Sequence, residues 1–152
     1  MSNIIQIDRS KLFDPVEFLG KGWSIEEQDE RSLAITEINV DDIVLHTMMK
    51  YTETSITGEE KLKRLRDDKT HLQLDAGIFL HFLNNKKLIT KYSEGKLIFF
   101  DGTILCRSGE DSCFDKNRFV LYLSPRNNEW FWYYYHLEYE LHPHHHSIRI
   151  PV

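Results

Sequence analysis

At 152 residues, with 41% hydrophobic and 28% charged residues, the chain has the size and composition of a single globular domain, which excludes a largely disordered protein. Its apolar runs fall far short of the roughly 20 residues a membrane-spanning helix needs, and Met1-Ser2-Asn3-Ile4-Ile5 lacks the basic start and long apolar stretch of an export signal. A net charge of −5 argues against a general nucleic-acid binder, because affinity for DNA rests mainly on neutralising phosphates.

Residues 1–30 read as an irregular N-terminal segment with one helical turn. Asp14 is its N-cap, Pro15 fits its first position and Gly20 ends it. Phe13, Phe18, Leu19 and Trp23 are expected to pin this segment to the core, and Glu26-Glu27-Gln28-Asp29-Glu30 reads as a solvent-facing loop. Residues 32–38 and 43–51 each read as a strand, with Asn39-Val40-Asp41-Asp42 as the break between them. Thr57-Gly58-Glu59-Glu60 has the spacing of a capping box and opens a helix over 57–68. Glu59 with Lys63 and Glu60 with Arg64 are favourable neighbours on it, and its thin stripe of Leu62 and Leu65 predicts a surface helix. A second helix starts at Asp75, presents Ile78, Phe79, Phe82 and Leu83, and stops at Asn84-Asn85.

The last third reads as β structure. Two apolar runs, 96–100 and 103–106, flank Asp101-Gly102, the pair that a type I′ hairpin turn prefers. A polar loop over 107–116 leads to a strand at 118–123, a turn at 125–128 and a final strand at 129–137. The expected fold is therefore α+β, one domain over 1–152, with an antiparallel β-meander in the C-terminal third, two helices packed on one face, and residues 138–152 as a tail.

Phe18-Leu19-Gly20-Lys21-Gly22-Trp23, Gly58-Glu59-Glu60-Lys61-Leu62, Ile98-Phe99-Phe100-Asp101-Gly102-Thr103 and the strand around Trp130-Phe131-Trp132 occur in that order. On these words the chain resembles a group of small bacterial proteins of unknown function, over about Phe18 to Leu137. The resemblance implies a bacterial, non-secreted, single-domain protein. It implies no activity, since the words are glycine turns, a capped helix and an aromatic hairpin.

The aromatic final strand is the most unusual feature. Trp130, Trp132, Tyr134 and His136 alternate with Phe131, Tyr133, Tyr135 and Leu137, so large rings fall on both faces. Either the strand is central and wholly core, or one face is an interface. Phe119, Leu121 and Leu123 look most like core in the preceding strand. Trp130, Trp132 and Tyr134 are accordingly expected to share the side of Tyr122 as a partly open platform for another protein. Register decides this, because a slip of one residue exchanges the faces. Glu129, Glu138 and Glu140 flank the strand and would repel phosphate, which favours a protein partner over a nucleic acid.

Other chemistry is sparser. His142, His144 and His146 would share one face of an extended segment and could bind zinc, copper or nickel, although a histidine run in a tail binds metal weakly. Cys106 and Cys113 are too few for a disulfide scaffold and fit a reducing cytoplasm, though they bracket a loop they could bridge. Residues 58–91 carry eight basic and five acidic groups, so the basic 61–69 segment is where a phosphate could be touched. The helix pair echoes a winged helix-turn-helix, but Gly77, Leu80 and His81 are poor base readers. No phosphate loop, zinc-protease helix, nucleophile elbow or kinase word is present, and no cofactor is implied. The leading expectation is a cytoplasmic protein-interaction module. A small enzyme using histidine, carboxylate or metal is the alternative, and weak nucleic-acid binding the third.

Overall fold

A computed structural model describes residues 3–88, 95–108 and 117–152. The chain runs through β1 (Ile4–Gln6), α1 (Pro15–Leu19), β2 (Trp23–Gln28), α2 (Glu30–Leu33), β3 (Glu37–Asn39), a 3-10 turn (Val40–Asp42), β4 (Val44–His46) and β5 (Ile56–Thr57). It continues with α3 (Gly58–Asp67), β6 (His71–Gln73), α4 (Ala76–Leu83), a second 3-10 turn (Lys86–Leu88), β7 (Leu97–Arg107), β8 (Arg118–Arg126), β9 (Glu129–His136), β10 (Glu140–Leu141) and β11 (His145–Pro151). The fold is α+β with a mainly antiparallel sheet.

Caps fix the helix starts. The Asp14 carboxylate accepts from the Val16 amide at 3.0 Å, Asp75 from Gly77 at 2.9 Å, and the Thr57 hydroxyl from Glu60 at 3.1 Å. Glu60 does not complete the reciprocal box. Its carboxylate reaches forward to Arg64 at 3.0 Å instead.

The main sheet has the order β4-β11-β7-β8-β9, with β2 beside the second half of β7 and β6 beside the end of β11. The β11–β7 pairing is parallel. Phe119, Leu121 and Leu123 of β8 lie in one core cluster with Ile78, Phe79 and Phe82 of α4, while Val120 lies in a second with Leu62 of α3. Strand alternation thus feeds two cores, one on each face. The two helices sit on opposite faces of the sheet, not on one as expected.

Asp101-Gly102 is not a hairpin. β7 runs straight through it, and the pairing with β8 shifts between Phe100 and Leu105. This bulge changes the strand's phase, so that Phe100 and Leu105 reach the same core. Glycine is needed for close approach: a Cβ on Gly102 would lie 2.6 Å from the Leu74 carbonyl carbon, and the Gly102 amide donates to Leu74 O at 2.9 Å.

Residues 138–152 are not a tail. β11 is inserted between β4 and β7, and Ile148 and Arg149 are buried. The N-terminal segment is also more regular than expected, since β1 pairs with β3, and the acidic stretch is divided between the end of β2, paired with β7, and the start of α2. The strand expected over 32–38 is a helical turn capped by Asp29 followed by β3. The strand expected over 43–51 ends at His46, ahead of Met48, whose φ of 61° leaves the extended region. Cys106 is a free thiol, while Cys113 and most of the 107–116 loop lie outside the described residues.

Candidate interaction surface

The turn at Asn127-Asn128, with φ of 51° and 63°, sets the register of β9 against β8. Leu121 lies opposite Tyr134, Leu123 opposite Trp132 and Pro125 opposite Trp130. Residues directly opposite share a face, so the three predicted rings join the α4-side core and not the side of Tyr122. Trp130 is 8% exposed and its ring lies 6.5 Å from that of Phe82. Trp132 stands edge-on to Phe18 at 4.4 Å, and Tyr134 meets Trp23 at 4.8 Å. Tyr122 lies on the other face, stacked on Phe99 at 5.1 Å. The expected platform of Trp130, Trp132, Tyr134 and Tyr122 is therefore divided between two faces.

A different set of rings is open. Phe131 and Tyr133 are 53% and 54% exposed, Trp132 keeps 37%, and Tyr139 beyond the strand is also exposed. The Arg126 guanidinium lies over Phe131 at 5.9 Å, and Tyr133 runs nearly parallel to Tyr134 at 4.5 Å. Among the described residues β9 pairs only with β8, so these rings line a sheet edge. Of the residues expected from the sequence only Trp132 belongs to this set; Phe131 and Tyr133 fall on the other face, which register alone decides.

The rings of His142, His144 and His145 lie together, with centroids 4.1 to 6.3 Å apart. His142 to His144 form a turn, and the His142 amide donates to His145 Nδ1 at 3.0 Å. His145 is buried at the start of β11, and burial, with the neighbouring His144 and Lys61, pulls its pKa down to about 4. It is a neutral acceptor that holds the turn. Among the described residues no group of three or more His, Cys, Asp or Glu is placed to hold a metal ion, so His142, His144 and His146 do not form the expected ligand set.

Both arginines of the basic 61–69 segment are engaged in ion pairs. Arg64 makes a two-pronged pair with Glu53 at 2.6 and 2.8 Å, and Arg66 pairs with Glu27. Lys61 is 1% exposed, with its ammonium 4.5 Å from the centre of the Phe99 ring and without a hydrogen-bond partner among the described residues. Burial lowers its pKa to about 8, against the pull of Asp101, which accepts from Ser147. The sequence carried a signal for this lysine: Gly58, Lys61, Leu62 and Leu65 form one buried helical stripe at the i, i+3, i+4, i+7 spacing.

A cleft of about 730 Å³ is lined by Asp75, Arg9 and His81, among others. Arg9 holds both Asp75 oxygens, at 2.9 and 3.0 Å, and the Ser32 hydroxyl donates to Asp75 at 2.5 Å. Burial pushes this carboxyl up, but Arg9 and Ser32 outweigh it and hold it low. Asp75 is thus committed to structure and is a poor candidate for a base. The His81 Nε2 is buried without a partner among the described residues, and burial lowers its pKa.

No protein-family model, curated protein or solved structure matches the chain. Among the described residues no helix is long and apolar enough to cross a membrane.

Proposed function

We propose that the chain is a protein-interaction module that recruits an extended segment of another polypeptide to the edge of β9 that pairs with no strand among the described residues. The observation that carries this is the coincidence of an edge strand with the open rings of Phe131, Tyr133 and Trp132. An added strand would gain main-chain hydrogen bonds from the edge and side-chain contact from the rings, the usual division between affinity and specificity in strand addition. Large rings are enriched in interface hot spots because they bury much area with few rotatable bonds. The engaged arginines on α3 and the net charge of −5 speak against phosphate as the ligand.

Photo-crosslinking in cells that express the protein tests this. A benzophenone amino acid at position 131 should give a discrete adduct that Tyr133→Pro removes, since proline cannot complete an added ladder. The same group at Tyr51, fully exposed but away from β9, is the control. Equal adducts at 51 and 131 would sink the proposal.

The second reading, a small enzyme, draws on His81 in the 730 Å³ cleft, where a neutral imidazole could serve as a general base. His81→Gln would then abolish turnover in an activity screen that Phe131→Ser leaves unaffected.

A further inference from the structure

A second cleft, of about 600 Å³, opens where β1 and β4 meet α4 and the strands β7, β9 and β11. That volume lies within the range of small-molecule sites, about 300–1,000 Å³. Its walls are mostly apolar, drawn from Ile5, Ile43, Leu45, Phe82, Ile98 and Ile148.

Two polar groups in the lining lack what they need. The indole of Trp130 is buried and its N–H meets no acceptor among the described residues. Native cores rarely leave a donor in that condition, because it has given up water without replacement. Lys96 also lines the cleft, is half-buried, and makes no ion pair among the described residues. Among the described residues Asp41 is the one acidic group in the lining, and it accepts from the Asn3 side-chain amide at 2.9 Å. The cleft therefore offers apolar walls, an unused neutral donor and an unused cation.

We infer that this cleft binds an apolar carboxylate, of the class of medium-chain alkanoates. The hydrocarbon covers the aliphatic walls, and the carboxylate supplies the acceptor and the negative charge that Trp130 and Lys96 lack. A protonated amine would meet the Lys96 cation and has no lone pair with which to accept from the Trp130 N–H. The cleft shares Trp130 with β9, but Phe131, Trp132 and Tyr133 are not in its lining, so the two proposals can be tested apart.

Decanoate and decanol, each below its aggregation limit, are titrated into the full chain by calorimetry and by tryptophan fluorescence. The expected result is one saturable site per chain, with decanoate bound about tenfold more tightly than decanol, as a charge-assisted contact predicts. Lys96→Met should erase that preference while leaving decanol unchanged. Trp130→Phe, a smaller change than removing the ring, should weaken both. Phe131→Ser should alter neither. Absence of saturable binding, a preference that survives Lys96→Met, or loss of binding in Phe131→Ser would each overturn the assignment. So would a second copy of the chain seated in the cleft, seen in ultracentrifugation as a dimer that Lys96→Met dissociates and decanoate does not.

Discussion

Replacing Lys61 by Met removes a buried charge while keeping most of the side chain's length. The amine is 1% exposed, has no hydrogen-bond partner among the described residues, and titrates at about 8 against an ordinary 10.5. Keeping it protonated at pH 7 therefore costs about 3 kcal/mol relative to the unfolded chain. The attraction of the ammonium to the Phe99 face returns roughly 1 kcal/mol of this. Lys61→Met should thus gain about 2 kcal/mol at neutral pH, or roughly 4–8 °C in Tm for a chain of this size. The pH dependence is the sharper test. A lysine whose pKa is depressed on folding binds fewer protons folded than unfolded between pH 8 and 10.5. Wild-type stability therefore rises through that window relative to the variant, and the advantage of Met should vanish by pH 10.5. Urea denaturation of both proteins at pH 7.0 and 10.5 measures this, with tyrosine ionisation common to the two. A variant that is less stable at pH 7, by a margin that does not change with pH, would show that Lys61 is not a desolvated cation.

Four further outcomes are expected. Truncation after Leu141 should abolish cooperative unfolding in circular dichroism, because β11 lies between β4 and β7; a folded fragment would refute the topology. Trp130→Ala should cost about 3–5 kcal/mol as a buried ring, Trp132→Ala clearly less, and Tyr133→Ser under about 0.5 kcal/mol, an order that thermal denaturation can rank. His145 must stay neutral to accept from His142, so its depressed pKa makes stability fall as pH drops from 6.5 towards 4, by about 1–2 kcal/mol. His145→Gln should flatten that limb, and an unchanged acid limb would assign it to other groups. Asp68→Ala leaves the buried Arg149 without its carboxylate and should cost about 3 kcal/mol in urea unfolding, where a loss below 1 kcal/mol would show the pair to be dispensable.

Features decided by local chemistry were legible in the sequence. Asp14, Thr57 and Asp75 mark helix starts because a cap needs only its own next residues, and the Asn127-Asn128 turn is equally local. Asp101-Gly102 carries the same local signal as a hairpin, yet its glycine answers to Leu74, which no short-range rule can supply. The face assignment of β9 rested on a register that only the turn geometry fixes, so Trp130, Trp132 and Tyr134 changed sides together. In β11 the polar residues His145, Ser147 and Arg149 are buried, and each is made tolerable by a partner distant in sequence or by the preceding turn. A strand whose polar residues find their partners elsewhere in the fold reads as a tail when only its own composition is considered.

The position of β11 has a consequence for how the protein is made. It pairs with β4 through Ile148 and Leu45, with β6 through Ile150 and Leu72, and with β7 through Ser147 and Phe99. Each of these strands leaves the ribosome before the one that joins them. During synthesis the edges of β4, β6 and β7 are unsatisfied templates, open to any other extended chain. The late insertion of a central strand, one side of it parallel, is the slow kind of closure, since long loops must be ordered before their contacts form. The nascent protein is thus most exposed to mispairing and to chaperones just before residue 145 emerges, and a ribosome stalled upstream of β11 would present a chain with half a sheet and nowhere to close it.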